Sequence, residues 1–210
     1  MCVYLRNLGL EINRKRIQHL YHLLSIEALY PKPKTTVRHI QHKVYPYLLR
    51  NITINNCNQV WSTDITYIRL HSGFVYLMAV MDWFSRYVLT WRLNTGLETD
   101  FCIDALRETL SRSRCEIFNT DQGVQFTCDE WINTLKSHQV QISMDGRGRA
   151  LDNIFVERLW RSVKYECIYL RELDKVRDVQ NALEDYFHYY NHERPHQSLD
   201  YKTPASIYLQ

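Results

Sequence analysis

Three strand-like segments follow one another closely from Val60 onward, and this pattern restricts the fold more than any other feature of the sequence. The segments VWSTDITYIRL (60–70), FVYLMAVMDW (74–83) and RYVLTWRL (86–93) are rich in β-branched and aromatic residues, which favour strands. Only short turns, at 71–73 and 84–85, separate them. Connections this short join antiparallel neighbours, so we expect a three-stranded meander.

Helical and strand-like segments alternate after the meander. The pattern predicts a helix over 98–112, a strand over 115–121, a helix over 127–138, a strand over 140–144, and, after a Gly/Arg-rich loop, helices from Asp152 and over 174–191. A strand reached through a helical crossover lies parallel to an earlier strand. The predicted fold class is therefore α/β: a ribonuclease-H-like mixed five-stranded sheet, with three antiparallel strands and then two parallel ones, flanked by helices.

The chain ahead of Val60 differs from this body in charge. Residues 1–59 carry nine Lys and Arg against two Asp and Glu, a balance of +7, whereas residues 60–171 have a balance of −1 and residues 172–210 one of −3. The sequence pattern predicts one or two short helices over residues 11–29 and an irregular linker over residues 31–59. A basic arm fits a polyanionic partner, although a solvated basic surface is the alternative.

Composition excludes several classes of protein. No run of about 18 apolar residues is present, so we expect no membrane span. The six cysteines are scattered without a CxxC pair, which argues against a zinc module that would use His19 and His22. Scattered cysteines in a chain of this size suggest reduced thiols, and we expect a cytoplasmic protein.

Three carboxylates stand out by their positions. Asp64 lies in the middle of a predicted strand, where Asp is disfavoured, and Asp121 ends the fourth strand. Glu157 lies on the face of a helix beside an apolar stripe. Each has an ordinary interpretation: a solvent-facing edge residue, a turn residue, and a surface ion pair with Arg161.

Taken together, the three acids indicate a metal site. Mg²⁺ prefers oxygen ligands, and two such ions about 3.5–4 Å apart can hold both oxygens of an in-line phosphoryl displacement. Carboxylates from two adjacent strands and one packed helix can converge on such a pair. Three clustered carboxylates repel one another unless cations lie between them.

Several sequence blocks resemble those of one enzyme family. The blocks are WSTDITYI around Asp64, NTDQGVQF around Asp121 and DNIFVERLWRSVKYE around Glu157. They resemble the signature blocks of DDE transposases and retroviral integrases, and the thirty-five residues between Asp121 and Glu157 match the spacing of that family. The tail from Tyr190 to Pro204 resembles that of second-frame transposases from bacterial insertion sequences of the "insertion sequence three" group.

The resemblance implies DNA cleavage and strand transfer, the reactions of DNA integration and transposition. Asp64, Asp121 and Glu157 would hold two divalent metal ions, Mg²⁺ or Mn²⁺ as a substitute. The DNA contacts would come from basic and polar residues near these acids: Lys164, Arg161, Gln125, Arg147 and Arg149. Asp152 is the rival third carboxylate, but Asp152 and Asn153 are expected to be helix caps.

The same resemblance implies partners and an organisation of the chain. The partners are DNA, as transposon ends and target, a helix-turn-helix polypeptide that is separate or fused, and further copies of the chain when it is active. The location would be the bacterial cytoplasm, at the nucleoid. We expect a basic helical arm and linker over 1–44, which would be a helix-turn-helix remnant, an integrase catalytic core over 45–171, and a C-terminal helix and tail over 172–210, packed on the core.

Two other functions stay open on the sequence alone. The first is a ribonuclease-H-like nuclease that cuts but does not join, and the second is a catalytically silent DNA-binding protein. The segment with His192, Arg194 and His196 also has two interpretations: a phosphate contact, or a helix end with a packed tail.

Overall fold

The computed structural model describes residues 2–24, 43–71, 73–146 and 153–210. The chain separates into two compact units, Met1–Arg38 and His39–Gln210. The division into residues 1–44, 45–171 and 172–210 that the sequence suggests stays a prediction.

The first unit contains two helices. Helix α1 (Cys2–Asn7) was not predicted, because six residues without an apolar stripe give no helical signal. Helix α2 (Arg14–Leu23) lies inside the predicted stretch 11–29, and residues 25–29 of that stretch lie outside the described residues. The side chain of Asn13 caps α2 by accepting a hydrogen bond from the backbone N–H of Arg16 at 2.9 Å.

The second unit is built on a five-stranded mixed sheet, as predicted. Its strands are β1 (Val60–Leu70), β2 (Gly73–Asp82), β3 (Val88–Asn94), β4 (Ile117–Thr120) and β5 (Gln141–Met144). Their order in the sheet is β3-β2-β1-β4-β5. The first three strands pair antiparallel, β4 pairs parallel with β1, and β5 pairs parallel with β4. The central strand β1 therefore has the antiparallel strands β2 and β3 on one side and the parallel strands β4 and β5 on the other.

Helices cover the sheet, and several depart from the predicted bounds. They are α3 (Asp100–Arg112), α4 (Val124–Thr127), α5 (Asp129–Ser137), α6 (Ile154–Val163), α7 (Val176–His192) and α8 (Pro204–Tyr208). The helix predicted over 127–138 corresponds to α5, and the short helix α4, which Cys128 separates from it, was not predicted. The long helix predicted from Asp152 begins at Ile154 and continues after Val163 as a π-helix, Lys164–Ile168. A 3₁₀ turn, Gln197–Leu199, and α8 were not predicted.

Each face of the sheet has its own apolar core. On one face, α6 and α7 pack on residues of β1 and β2 that include Ile68, Leu77 and Met81. On the other face, α3 and α5 pack on residues that include Trp61 and Phe118. Helix α6 presents the predicted stripe to the first core: Val156, Leu159, Trp160, Val163 and Cys167. This packing holds α6 against β1, where the candidate site lies.

The C-terminal helix contributes its stripe to the same core. Val179, Leu183, Phe187 and Tyr190 of α7 are buried there, whereas Val176 at the start of the helix is exposed. The sequence left core and subunit contact as alternatives for this stripe, and the structure places these four side chains in the core. Within the described ranges, no helix is long and apolar enough to cross a lipid bilayer.

Candidate active site

Asp64 and Asp121 lie on neighbouring parallel strands. Strands β1 and β4 pair with Ser62 opposite Asn119. The same register, continued for two residues, places Asp64 opposite Asp121, which directly follows the end of β4. Adjacent strands are about 4.8 Å apart, so the two acids occupy neighbouring positions across β1 and β4.

Asp64 is half-buried and has a specific partner in the third element of the site. The indole N–H of Trp160 on α6 donates a hydrogen bond to Oδ2 of Asp64 at 3.0 Å. The sequence pattern counted Trp160 only as one member of an apolar stripe and missed this contact. A tryptophan three residues after Glu157 was the available signal, because a buried indole N–H usually needs an acceptor.

A second hydrogen bond ties the start of α6 to β1. Asn153 is the N-cap residue of α6, as predicted, but its side chain makes no cap hydrogen bond. Its Nδ2 instead donates to the backbone carbonyl of Thr63 at 3.2 Å. Asp152, the rival carboxylate, lies outside the described residues. The bonds from Asn153 and Trp160 hold the first two turns of α6 beside Asp64.

Glu157 lies in the first turn of α6, between these two anchors, and is exposed. Its charge reaches Asp64. Burial raises the pKa of Asp64 to about 6, the hydrogen bond from Trp160 opposes that rise, and the carboxylates of Asp121 and Glu157 add to it. The carboxylates of Asp121 and Glu157 therefore both interact electrostatically with the carboxylate of Asp64.

The loop after β4 fixes the side chain of Asp121. The backbone N–H of Gly123 donates to Oδ1 of Asp121 at 2.8 Å. Partial loss of hydration raises the pKa of Asp121, and this hydrogen bond opposes the rise. A Cβ atom at position 123 would lie 2.8 Å from the same Oδ1, which is too close for any real contact. Glycine is therefore needed here for the close approach of its backbone, although its φ is an ordinary −63°.

The acids are neighbours without forming a closed metal cage. Among the described residues, no three His, Cys, Asp or Glu side chains are close enough together to hold a metal ion as they stand. The donor set itself suits a hard divalent cation, because Asp64, Asp121 and Glu157 offer carboxylate oxygens. Burial raises the pKa of Asp64 most, and the carboxylates of Asp121 and Glu157 add to the rise; a bound cation would relieve that added repulsion.

The residues predicted to contact DNA are distributed around this site. The Nζ atom of Lys164 lies 5.1 Å from the ring centre of Tyr67 on β1, and Lys164 lines a cavity of about 620 Å³. Arg161 faces a different cavity, of about 330 Å³. The Nε2 group of Gln125 donates to the carbonyl of Leu97 at 3.0 Å and so braces the loop ahead of α3. Arg147 and Arg149 lie outside the described residues.

The C-terminal segment forms a helix end with a packed tail, and the phosphate contact that the sequence also suggests stays a prediction. Helix α7 ends at His192, and the guanidinium of Arg194 makes two hydrogen bonds to Glu166, from Nε at 2.8 Å and from Nη2 at 2.6 Å. His196 is buried with its ring against Tyr190, at 4.7 Å between ring centres. Intramolecular contacts of this kind pack the tail onto α7 and the π-helix.

Sequence comparison agrees with this geometry. Two profiles described as "Integrase core domain" match the chain, one over residues 55–150 and one over residues 138–204. The chain is 30% identical to the transposase for insertion sequence element IS904 of Lactococcus lactis, over 97% of this chain and 83% of that protein. The chain belongs to the integrase-core transposases of insertion sequences. It is also 29% identical to the putative transposase InsK for IS150 of Escherichia coli, over 93% of this chain and 71% of that protein.

Solved structures show where else this transposase fold occurs. An intasome of simian T-cell lymphotropic virus, in complex with the regulatory subunit B56 gamma of PP2A, superposes with a TM-score of 0.65 at 19% identity; the match covers 82% of this chain and 61% of that one. The HTLV-2 integrase catalytic core in complex with magnesium gives a TM-score of 0.55 at 19% identity, over 73% of this chain and 97% of that one. At such identities the likeness establishes the shared ribonuclease-H-like fold.

Proposed function

We propose that this transposase cuts DNA strands and joins them by metal-dependent in-line phosphoryl transfer, with Asp64, Asp121 and Glu157 as the metal ligands. One observation carries the proposal. Asp64, inside β1, lies level with Asp121, which follows the end of the adjacent parallel strand β4, and Trp160 bonds Asp64 to the helix that carries Glu157. Three elements therefore bring oxygen donors to one edge of the sheet, where α/β folds place their sites.

Divalent metal is the cofactor that these donors suit. We infer two ions, Mg²⁺ with Mn²⁺ as a substitute, as in the sequence-based prediction. When bound, such ions activate the attacking oxygen and stabilise the leaving oxygen of the phosphodiester. The magnesium complex of the HTLV-2 integrase core supports metal use on this fold.

The side chains of the site are prepared for this role at neutral pH. With its pKa at about 6, Asp64 is mostly ionised at pH 7 and can act as a ligand. Trp160 holds one of its oxygens, and the N–H of Gly123 holds one oxygen of Asp121. Carboxylates that are fixed in this way lose less freedom when they bind a cation.

DNA is the proposed substrate, as transposon ends and as target. Lys164 and Arg161 are the described basic residues of α6 and its π-helical extension that we assign to DNA contacts, and Arg147 and Arg149 remain predicted contacts. Gln125 would act through the loop that it braces. The balance of +7 over residues 1–59 supports a polyanionic partner.

Assembly and location complete the proposal. A helix-turn-helix polypeptide, separate or fused, would supply recognition of the transposon ends, because phosphate contacts alone read no sequence. Further copies of the chain would assemble around the DNA; the simian T-cell lymphotropic virus chain with the same fold belongs to an intasome. The bacterial nucleoid would be the place of action.

Strand transfer by the purified chain tests the proposal. The substrate is a labelled, pre-cleaved DNA end with a second duplex as target, in Mg²⁺ or Mn²⁺. Asp64→Asn, Asp121→Asn and Glu157→Gln should each abolish nicking and joining while thermal melting stays cooperative. Asp104→Asn on the exposed face of α3 is the matched control and should retain activity.

The outcomes separate the three functions. Joining by the parent protein supports the transposase, and the family assignment favours this result. Nicking without joining would indicate a nuclease, and DNA binding without either reaction would indicate a silent binding protein. Near-normal strand transfer by any one of the three variants would remove that residue from the ligand set.

A further inference from the structure

A second cavity, of about 330 Å³, opens along α6, the helix that carries Glu157. Four arginines from three parts of the chain line it: Arg86 from the β2–β3 turn, Arg158 and Arg161 from α6, and Arg194 from the segment after α7. No Asp or Glu is among its lining residues in the part of the chain that the structure describes. The described lining of the cavity is therefore positively charged and includes no carboxylate.

Most of this charge is not neutralised within the protein. Arg194 is paired with Glu166, but Arg86, Arg158 and Arg161 form no ion pair with any described carboxylate. The buried carboxylate of Asp82 acts on Arg86 electrostatically. That carboxylate already accepts hydrogen bonds from the backbone N–H groups of Asn58 and Ser85 and from the Ser85 hydroxyl.

Arg86 is held in the cavity by an unusual backbone conformation. Its φ is 63°, in the left-handed region that favours glycine. Its backbone N–H nevertheless bonds to the carbonyl of Asp82 at 3.0 Å, and its guanidinium lies 3.7 Å from the ring centre of Phe155. Burial lowers the pKa of Arg86, and the charge of Arg158 lowers it further. The backbone of Arg86 therefore has a conformation that would suit glycine. Its guanidinium has lost part of its hydration, and a bound anion would compensate for that loss.

The positive charge of the cavity comes from the arginines alone. His196 also lines it, but burial lowers the pKa of His196 to about 4, and the charges of Arg194 and Arg86 lower it further. At neutral pH the imidazole is therefore uncharged. The guanidinium groups stay protonated at any physiological pH, so the site is a permanent cationic site.

We propose that this cavity binds one backbone phosphate of the DNA strand that lies across α6. This inference rests on the proposed function, because it takes DNA as the substrate. Guanidinium groups present paired donors that match phosphate oxygens, and the unpaired guanidinium groups of the β2–β3 turn and of α6 can hold a single phosphate between them. Arg158 directly follows Glu157 on α6, so a phosphate held here would fix the strand relative to the three carboxylates.

The test is a double-variant cycle on DNA affinity in EDTA, where no reaction occurs. The probe is a short blunt duplex of arbitrary sequence, and its dissociation constant is measured over a range of NaCl concentrations. The variants are Arg86→Gln, Arg158→Gln and both together. Arg107→Gln on α3, which packs on the opposite face of the sheet, removes one exposed arginine elsewhere and is the matched control.

Each single variant should weaken binding, and the control should leave it unchanged. If both arginines hold the same phosphate, the double variant should lower the slope of log affinity against log salt by about one. A decrease of about two would mean two separate phosphates and would overturn the proposal. Equal affinity of the double variant and the control would also overturn it. If Arg86→Gln does not melt cooperatively, Arg161→Gln replaces it with the same expected result.

Inorganic phosphate distinguishes a DNA site from a site for a free anion. Millimolar phosphate should raise the melting temperature of the parent more than that of the double variant. If it does so while both proteins bind the duplex equally, the cavity takes a free anion and the DNA assignment is wrong. The proposed function is judged separately, by strand transfer in metal. An inactive parent whose arginine variants still bind DNA more weakly would refute that function and keep the phosphate site.

Discussion

Trp160 and Asp64, which are far apart in the sequence, are joined by a hydrogen bond of 3.0 Å between the indole N–H and the carboxylate. This bond favours the charged form of Asp64 and thus opposes the rise of its pKa that burial causes. It also fixes the distance between β1 and the helix that carries Glu157. One contact therefore sets both the charge and the position of a proposed ligand.

Trp160→Phe should weaken the metal site more than it weakens the fold. The phenyl ring keeps most of the packing but cannot donate a hydrogen bond, so the pKa of Asp64 should rise and protons should compete better with Mg²⁺. Groups that orient metal ligands typically contribute about 10–100-fold in metal affinity or activity. We expect about a tenfold loss of Mg²⁺ affinity at pH 6.5, measured by titration calorimetry, and a smaller loss at pH 8.

Trp83→Phe is the matched control for this change. Trp83 is also buried, and its indole N–H donates at 2.6 Å to the hydroxyl of Ser62, another residue of β1. Its loss should lower the melting temperature without changing Mg²⁺ affinity. Equal effects of the two variants on Mg²⁺ affinity would show that Trp160 acts only through packing.

The stability of the metal-free protein should depend on the charge of Asp64. The folded pKa of about 6 lies above the ordinary value of 3.8, so the folded state holds the Asp64 proton more tightly than the unfolded state. The resulting stabilisation is full below about pH 4 and is lost as pH rises through about 6. In EDTA at pH 7, Asp64→Asn should therefore be more stable than the parent by roughly 1–2 kcal/mol, with allowance for remaining solvent contact.

Urea denaturation of parent and Asp64→Asn at several pH values checks this expectation. The difference in unfolding free energy should grow between pH 4 and pH 7 in favour of the variant. Adding Mg²⁺ should reverse the order, because a cation that binds only the folded parent stabilises it by mass action. A difference that does not change with pH would mean that burial and the neighbouring carboxylates do not raise the pKa of Asp64.

The five strands and their directions were predictable from the sequence because their signals are local. β-branched and aromatic runs with short turns at 71–73 and 84–85 define the meander, and β1 has the predicted bounds. The crossover helix made β4 parallel to an earlier strand. By contrast, α1 and α8 are too short to show a periodic apolar pattern, and the π-helical turn after Val163 leaves no mark in residue type.

The sequence blocks single out three acids, but the contacts that hold these acids in place could not be predicted. Asp64, Asp121 and Glu157 lie in distinctive sequence blocks, and their roles as ligands stay a prediction. The bonds from Trp160 to Asp64 and from Asn153 to Thr63 join residues about ninety positions apart, so only the folded chain reveals them. The cluster of four arginines around one cavity has the same origin, since Arg86 and Arg194 lie far from α6 in the sequence.

Gly123→Ala should impair strand transfer without unfolding the protein. The backbone at this position suits alanine, but the new methyl group would lie 2.8 Å from Oδ1 of Asp121 and must displace that carboxylate. A displacement of about 1 Å at a reacting group can cost about a hundredfold in rate. Gly96→Ala is the matched control, because its Cβ would meet only the Glu98 side chain, at 3.5 Å. Equal strand transfer by the two variants would show that the position of Asp121 is not critical.

Lys164→Ala should reduce DNA affinity in a salt-dependent way while Mg²⁺ affinity stays unchanged. Lys164 lies over the ring of Tyr67 beside the proposed ligands, and its ammonium group also lines the large cavity next to β1. If it neutralises one phosphate, its loss should lower the salt slope of DNA binding by about one.

Lys136→Ala provides the control, since Lys136 on α5 also lies over a tyrosine ring, that of Tyr45, at 5.8 Å. Because α5 packs on the opposite face of the sheet, that variant should bind DNA as the parent does. If the two lysine variants have the same salt dependence, Lys164 is an ordinary solvated lysine, and the DNA strand follows a path that does not reach this end of β1.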